Sequence, residues 1–139
     1  MSTRMNITFQ FNNQLAYDMV TDGVVSPWHG TISGKFISSR APKTIHAYSD
    51  GTAFGMEGRS DAATGVTAAL NYWFISAGGK MNSSKSNTKG SLQLYFQVPY
   101  TGSNSWSHHL NASFAKMTTS GWSKSADSVS LLLTFNPVA

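Results

Sequence analysis

The chain has 139 residues, a formal net charge of +4, and only 12% charged residues against 40% hydrophobic ones. That length suits one domain spanning 1–139 with one sizeable core. The absence of cysteine excludes disulfides and thiolate chemistry, and the scattered Lys and Arg, of which only Lys80, Lys85 and Lys89 cluster, point to no nucleic-acid partner.

So low a charged fraction leaves Ser, Thr, Asn and Gly to cover the surface, and these are weak helix formers. Period-two alternation runs from the start. In Met5–Phe11, Ile7, Phe9 and Phe11 share one face and Thr8 and Gln10 the other. Asp22-Gly23 marks a turn, and 28–37 keeps Ile32 and Phe36 in phase despite Gly30 and Gly34. Asp50-Gly51 is a second turn. A short helical turn over 62–69 is opposed by Thr64, Gly65, Val66 and Thr67. In the run Tyr72, Trp73 and Phe74, strand geometry turns Trp73 away from its two neighbours. After Gly78-Gly79, the polar segment 79–91 reads as a long hairpin loop. Leu92, Leu94, Phe96 and Val98 then share a face, Gly102-Ser103 and Ser120-Gly121 are turns, and Val129, Leu131, Leu133 and Phe135 form a last apolar face before Pro137. Short half-buried strands at this spacing predict an all-β antiparallel sandwich or barrel.

The common catalytic signatures are missing. The chain has no G-x-S-x-G elbow, no Rossmann fingerprint and no P-loop. The six carboxylates include no pair close in sequence, and His108 and His109 on a strand point to opposite faces, where they cannot chelate one ion together. Neither an enzyme nor a metal nor a cofactor is expected. The opening MSTRMNITFQFNNQ lacks an apolar signal-peptide core, and no stretch reaches the roughly 18 apolar residues of a spanning helix. Any membrane activity is therefore expected to start from a water-soluble state.

Two segments carry a family resemblance. Residues 58–65, GRSDAATG, and residues 94–106, LYFQVPYTGSNSW, resemble the aegerolysin family, and Ser26-Pro27-Trp28 sits where members commonly carry a Trp step before a strand. In the second segment the pattern is similar to the small components of bacterial two-component insecticidal proteins. The resemblance implies a single β-sandwich of the aegerolysin/actinoporin-like type that recognises membrane lipids, a sphingolipid-type headgroup among them. It further implies cooperation with a larger perforin-like pore-forming protein, with cytolytic (hemolytic or insecticidal) action at the target membrane after release from the producing cell. Thr64 stands where some fungal members have a glutamate tied to headgroup choice, so that preference does not carry over. His29 in the Trp-Gly region and Val98 at a cysteine place of some relatives are further departures.

On this reading the candidate lipid-binding residues are Trp28, Arg59, Asp61, Thr64, Tyr95, Tyr100 and Trp106. Trp and Tyr suit a membrane interface because each joins an apolar body to a hydrogen-bonding tip. The plainer alternative is that such aromatics fill the core, which is the expectation for Phe96. Arg59 and Asp61 flank one serine, so they either clasp a turn or present a guanidinium to a headgroup phosphate. Lys80, Lys85 and Lys89 are expected as solvated loop charges, each able to add on the order of 1 kcal/mol at an anionic surface. A lectin-like carbohydrate-binding sandwich is the competing function, since fold alone does not fix activity.

Overall fold

A computed structural model describes residues 6–21, 35–36, 43–57, 66–98 and 102–138. Among them all regular structure is strand: β1 Asn6–Asn13, β2 Tyr17–Val20, β3 Lys35–Phe36, β4 Thr44–Ile45, β5 Ser49–Glu57, β6 Val66–Ser76, β7 Gly90–Val98, β8 Ser105–Asn111, β9 Ala115–Ser120 and β10 Ser128–Pro137. The predicted alternation sets β1, β7 and β10, in which every second residue is buried. No helix is found around 66–69, where β6 begins.

The strands form two five-stranded sheets, ordered β3-β5-β1-β10-β9 and β4-β2-β6-β7-β8. Their apolar faces share one core. Phe9 meets Phe96 across the sandwich at 4.6 Å between ring centroids, Phe11 meets Tyr72 at 5.7 Å, and Phe74 meets Phe135 at 6.4 Å. These tilted or edge contacts are favoured aromatic geometries. Tyr72 and Phe74 are fully buried, whereas Trp73 is only half-buried on the outer face.

The all-β sandwich matches expectation, with one departure from antiparallel order. The first strand, β1, lies parallel to the last, β10, from Asn6↔Ser128 to Asn13↔Phe135. Alternation fixes which face of a strand is buried but not its direction. A parallel neighbour needs a long crossover, and here the whole intervening chain supplies it.

One end of the sandwich is pinned by buried polar groups. The Asn13 amide nitrogen donates to the carbonyls of Tyr17 and His46 at 2.9 and 3.2 Å, and its oxygen accepts from Leu15 N–H at 3.1 Å. Asp18, 5% exposed, accepts from the N–H groups of Ala47 and Gly78 at 2.8 and 3.0 Å. Satisfied in this way, both side chains are tolerated inside, and the turns after β1, β4 and β6 are tied together.

Candidate functional site

At the opposite end the strand registers bring together strand ends that bracket the predicted site segments. Asn6 pairs with both Glu57 and Ser128, and Val66 pairs with Val98. Glu57 and Val66 bracket the 58–65 segment, Val98 precedes Tyr100, and Lys35, which follows the Trp28 segment, pairs with Glu57. Trp28, Arg59, Asp61, Thr64 and Tyr100 themselves lie outside the described residues. What the structure places is the end from which their segments leave.

Asn104 joins the two sheets there. Its backbone N–H donates to the Lys124 carbonyl at 2.8 Å. Its side-chain amide donates to the carbonyls of Ser123 and Ala126 at 2.9 and 2.8 Å. The loop after β7, in one sheet, is thus clasped to the loop after β9, in the other. Asn6 N–H adds a bond to the Asp127 carbonyl at 2.9 Å.

Beside this clasp stands an aromatic cluster on the two edge strands. Trp106 pairs with the core residue Phe96, so it projects from the inner face of β8. It is half-buried against the core while keeping part of its surface in solvent. Its ring lies 6.0 Å from Trp122, tilted by 43°, and stacks on His108 at 4.9 Å and 27°. Trp122 follows β9, so the two indoles bridge the seam between the sheets. Burial, and secondarily the charge of His109, hold the His108 imidazole below its ordinary pKa.

Gly121 positions Trp122. Its φ is +91°, and an added Cβ would stand 2.1 Å from the Ser130 carbonyl oxygen. Only glycine fits so close a backbone approach in that conformation.

Tyr95 and Trp106, the two candidates within the described residues, are not brought together. Tyr95 alternates with the buried Leu94 and Phe96 and pairs with Ser107, placing it on the outer face, away from Trp106. His108 and His109 lie on opposite faces as expected, opposite Leu94 and Gln93 respectively. Phe96 is fully buried. The sequence reading missed Trp122, His108 and Asn104. The signal for Trp122 was available, a large aromatic directly after the Ser120-Gly121 turn in otherwise polar sequence.

The lysine expectation needs correcting. Lys80 and Lys89 are exposed, but Lys85 is half-buried with its ammonium 4.8 Å from the centroid of Trp73, a cation–π distance. All three belong to the connection between β6 and β7, at the end opposite Trp106. They are therefore not part of the same surface. Among the described residues no three His, Asp or Glu side chains gather as a metal site, and no helix is long and apolar enough to cross a membrane.

No protein-family model and no curated protein sequence matches the chain. Solved structures do. The chain is similar to the RahU protein, crystallised with a TRIS molecule, at 13% identity and a TM-score of 0.65, with 96% of each chain covered. It is also similar to Nakanori, described as a lipid binding protein, at 10% identity and a TM-score of 0.64, covering 96% of this chain and 72% of that one. At such identities the likeness is one of fold, and the fold is the aegerolysin-like β-sandwich that the sequence resemblance implied.

Proposed function

We infer that the chain is a membrane-lipid-binding protein, and that it acts as the small component of a two-component pore-forming system. The observation that carries the lipid reading is the convergence at one end. The segments holding Trp28, Arg59, Asp61, Thr64 and Tyr100 leave from the same sandwich end at which Trp106 and Trp122 stand. Half-buried indoles at the end whose strands bracket the segments of Arg59 and Tyr100 suit an interfacial anchor, and a guanidinium and a tyrosine in those segments suit a headgroup contact. The fold likeness to a lipid binding protein supports the same reading.

The partner follows from what the strands are already doing. Spanning a bilayer takes a helix of about 20 apolar residues or a closed barrel of strands about 9–11 residues long with an apolar outer face. The long strands β1, β7 and β10 bury their apolar faces in one shared core. Opening them would expose backbone groups that lipid cannot satisfy. A larger perforin-like protein would then supply the inserted barrel, recruited to a surface this chain has marked.

Co-sedimentation with sphingomyelin vesicles tests the lipid step. Trp106→Phe and Trp122→Phe are expected to weaken binding while leaving the fold intact, as are Trp28→Ala and Tyr100→Ala. Binding unchanged in all four removes the site. Dye release tests the second step: the purified chain should bind vesicles and leak them little. Strong release by this chain alone, near its binding midpoint, removes the two-component reading.

A further inference from the structure

Among the described residues the edges of the two sheets are β3 and β9 in one and β4 and β8 in the other. They are not alike. β3 and β4 are two residues long, and β9 carries Lys116. Short length and a lysine are common protections of an exposed edge. β8 is seven residues long and contains no Lys, Arg, Asp, Glu, Pro or Gly. No bulge interrupts its register with β7, which runs without a break from Ser91↔Asn111 to Gln97↔Ser105.

Hydrogen bonding fixes which backbone groups of β8 point outward. Along an antiparallel strand these groups turn alternately to one side and the other. Asn104 N–H, just before β8, points away from β7 and bonds the Lys124 carbonyl. The next groups in that phase belong to Trp106, His108 and Leu110. Among the described residues none of the three makes a backbone bond on that side. Their side chains lie on the inner face, opposite Phe96, Leu94 and Leu92. Trp106 and Leu110 pack against the core yet keep part of their apolar surface in solvent beside the open edge. With histidine neutral the strand bears no formal charge.

We propose that the β8 edge pairs with the β8 edge of a second copy of this chain, antiparallel and centred on His108. In that register His108 meets its own counterpart and Trp106 meets Leu110, so every outward group of the three residues finds a partner. Each such pair exchanges two N–H···O bonds, and the contact is self-complementary, as a two-fold interface must be. An indole packs on an aliphatic side chain on each side of the centre, a favourable cross-strand pair, and the uncharged strand meets its copy without repulsion. A strand of seven residues is about 23 Å long, and two sheets about 10 Å apart with their outer side chains make a wall about 20 Å thick. Two such walls bury roughly 900 Å² in all, below the ~1,200–2,000 Å² of stable interfaces and in the range of weak ones. The pairing is therefore reversible, with a micromolar or weaker dissociation constant. It turns the two copies end for end, so their Trp106 ends point in opposite directions. Because a paired chain covers Trp106, the copy that meets a bilayer on the lipid reading is the unpaired one.

Sedimentation velocity of the full chain near neutral pH and without lipid, over roughly 1 μM–1 mM, tests this pairing. The sedimentation coefficient is expected to rise with concentration from monomer to dimer and no further. His108→Pro removes one outward N–H, which an edge strand tolerates because that side faces solvent, and should stay monomeric throughout. His108→Lys keeps every backbone bond but sets like charges directly opposite each other, and should weaken self-association at least about tenfold. Circular dichroism checks that both variants fold; if the proline variant does not, the lysine variant decides. Amide hydrogen exchange followed by NMR reads the register. Protection of Trp106, His108 and Leu110 should rise with concentration, while that of Ser107 and His109, whose groups point to β7, should change little. A chain that is monomeric at every concentration, a dimer that the substitutions leave intact, growth to larger assemblies, or protection without this alternation overturns the proposal. Because no lipid is present, failure here leaves the lipid reading standing.

Discussion

Replacing Asn104 with alanine removes the side-chain half of the clasp between the two sheets. The amide donates two bonds of ordinary length, 2.9 and 2.8 Å, to the Ser123 and Ala126 carbonyls, and Asn104 is only 7% exposed. The third bond, from its backbone N–H to Lys124, survives the substitution. A typical intramolecular hydrogen bond contributes about 0.5–1.5 kcal/mol net, so losing two costs about 1–3 kcal/mol. For a domain of this size each kcal/mol shifts Tm by about 3–5 °C. Urea unfolding followed by tryptophan fluorescence should give that loss with an unchanged m-value. Because the clasp fixes the loop carrying Trp122 beside the start of β8, vesicle binding should weaken as well. A stability loss below about 0.5 kcal/mol would refute the reasoning, since surface substitutions away from such features routinely cost that little. So would vesicle binding that stays at the level of the unsubstituted chain despite the predicted loss.

Three further outcomes are expected. Phe96→Ala, at a fully buried ring packed on Phe9, should cost about 3–5 kcal/mol in denaturant unfolding; a cost under about 1 kcal/mol would mean the core is not closed there. Gly121→Ala should destabilise by more than the 1–2 kcal/mol of a left-handed alanine alone, because the new Cβ meets backbone, and near-ultraviolet circular dichroism should register the displaced Trp122. His108 is held below its ordinary pKa, so the unfolded chain takes up the proton first as pH falls. The stability present above about pH 6.5 is lost as pH drops through that value toward the folded-state pKa. His108→Gln should flatten that part of the stability–pH curve, and an unchanged slope would contradict the assignment.

The sequence was most legible where one face of a strand is buried and the other wet. Ile7, Phe9 and Phe11, or Leu92, Leu94 and Phe96, can be assigned to the core from alternation alone, because burial depends only on face. The parallel pairing of β1 with β10 was not legible, because pairing direction depends on which distant strands meet. The resemblance picks out the segments 58–65 and 94–106, and the registers bring strand ends that bracket both to one end of the sandwich. The separation of Tyr95 from Trp106 was hidden, because the turn between them sets the register. Nothing in the sequence singles out Asn104, and only the tertiary contact with Ser123 and Ala126 makes it a clasp. Lys85 is the clearest reversal. Composition makes it a solvated charge, whereas the hydrogen bonds of Asn82, Asn87 and Thr88 turn the loop back so that it covers Trp73.

The central claim is that the end bearing Trp106 and Trp122 contacts the bilayer, and the placement of the tryptophans allows a direct measurement. Quenching of tryptophan fluorescence by brominated lipid reports only indoles at the acyl region. Sphingomyelin vesicles doped with brominated phosphatidylcholine should quench the bound chain. Replacing Trp106 and Trp122 together by phenylalanine should remove much of that quenching, whereas Trp73→Phe, at the opposite end, should leave the bromine-quenched signal intact. Quenching that survives loss of Trp106 and Trp122 but disappears with Trp73 would place the bilayer at the wrong end of the sandwich and contradict the account.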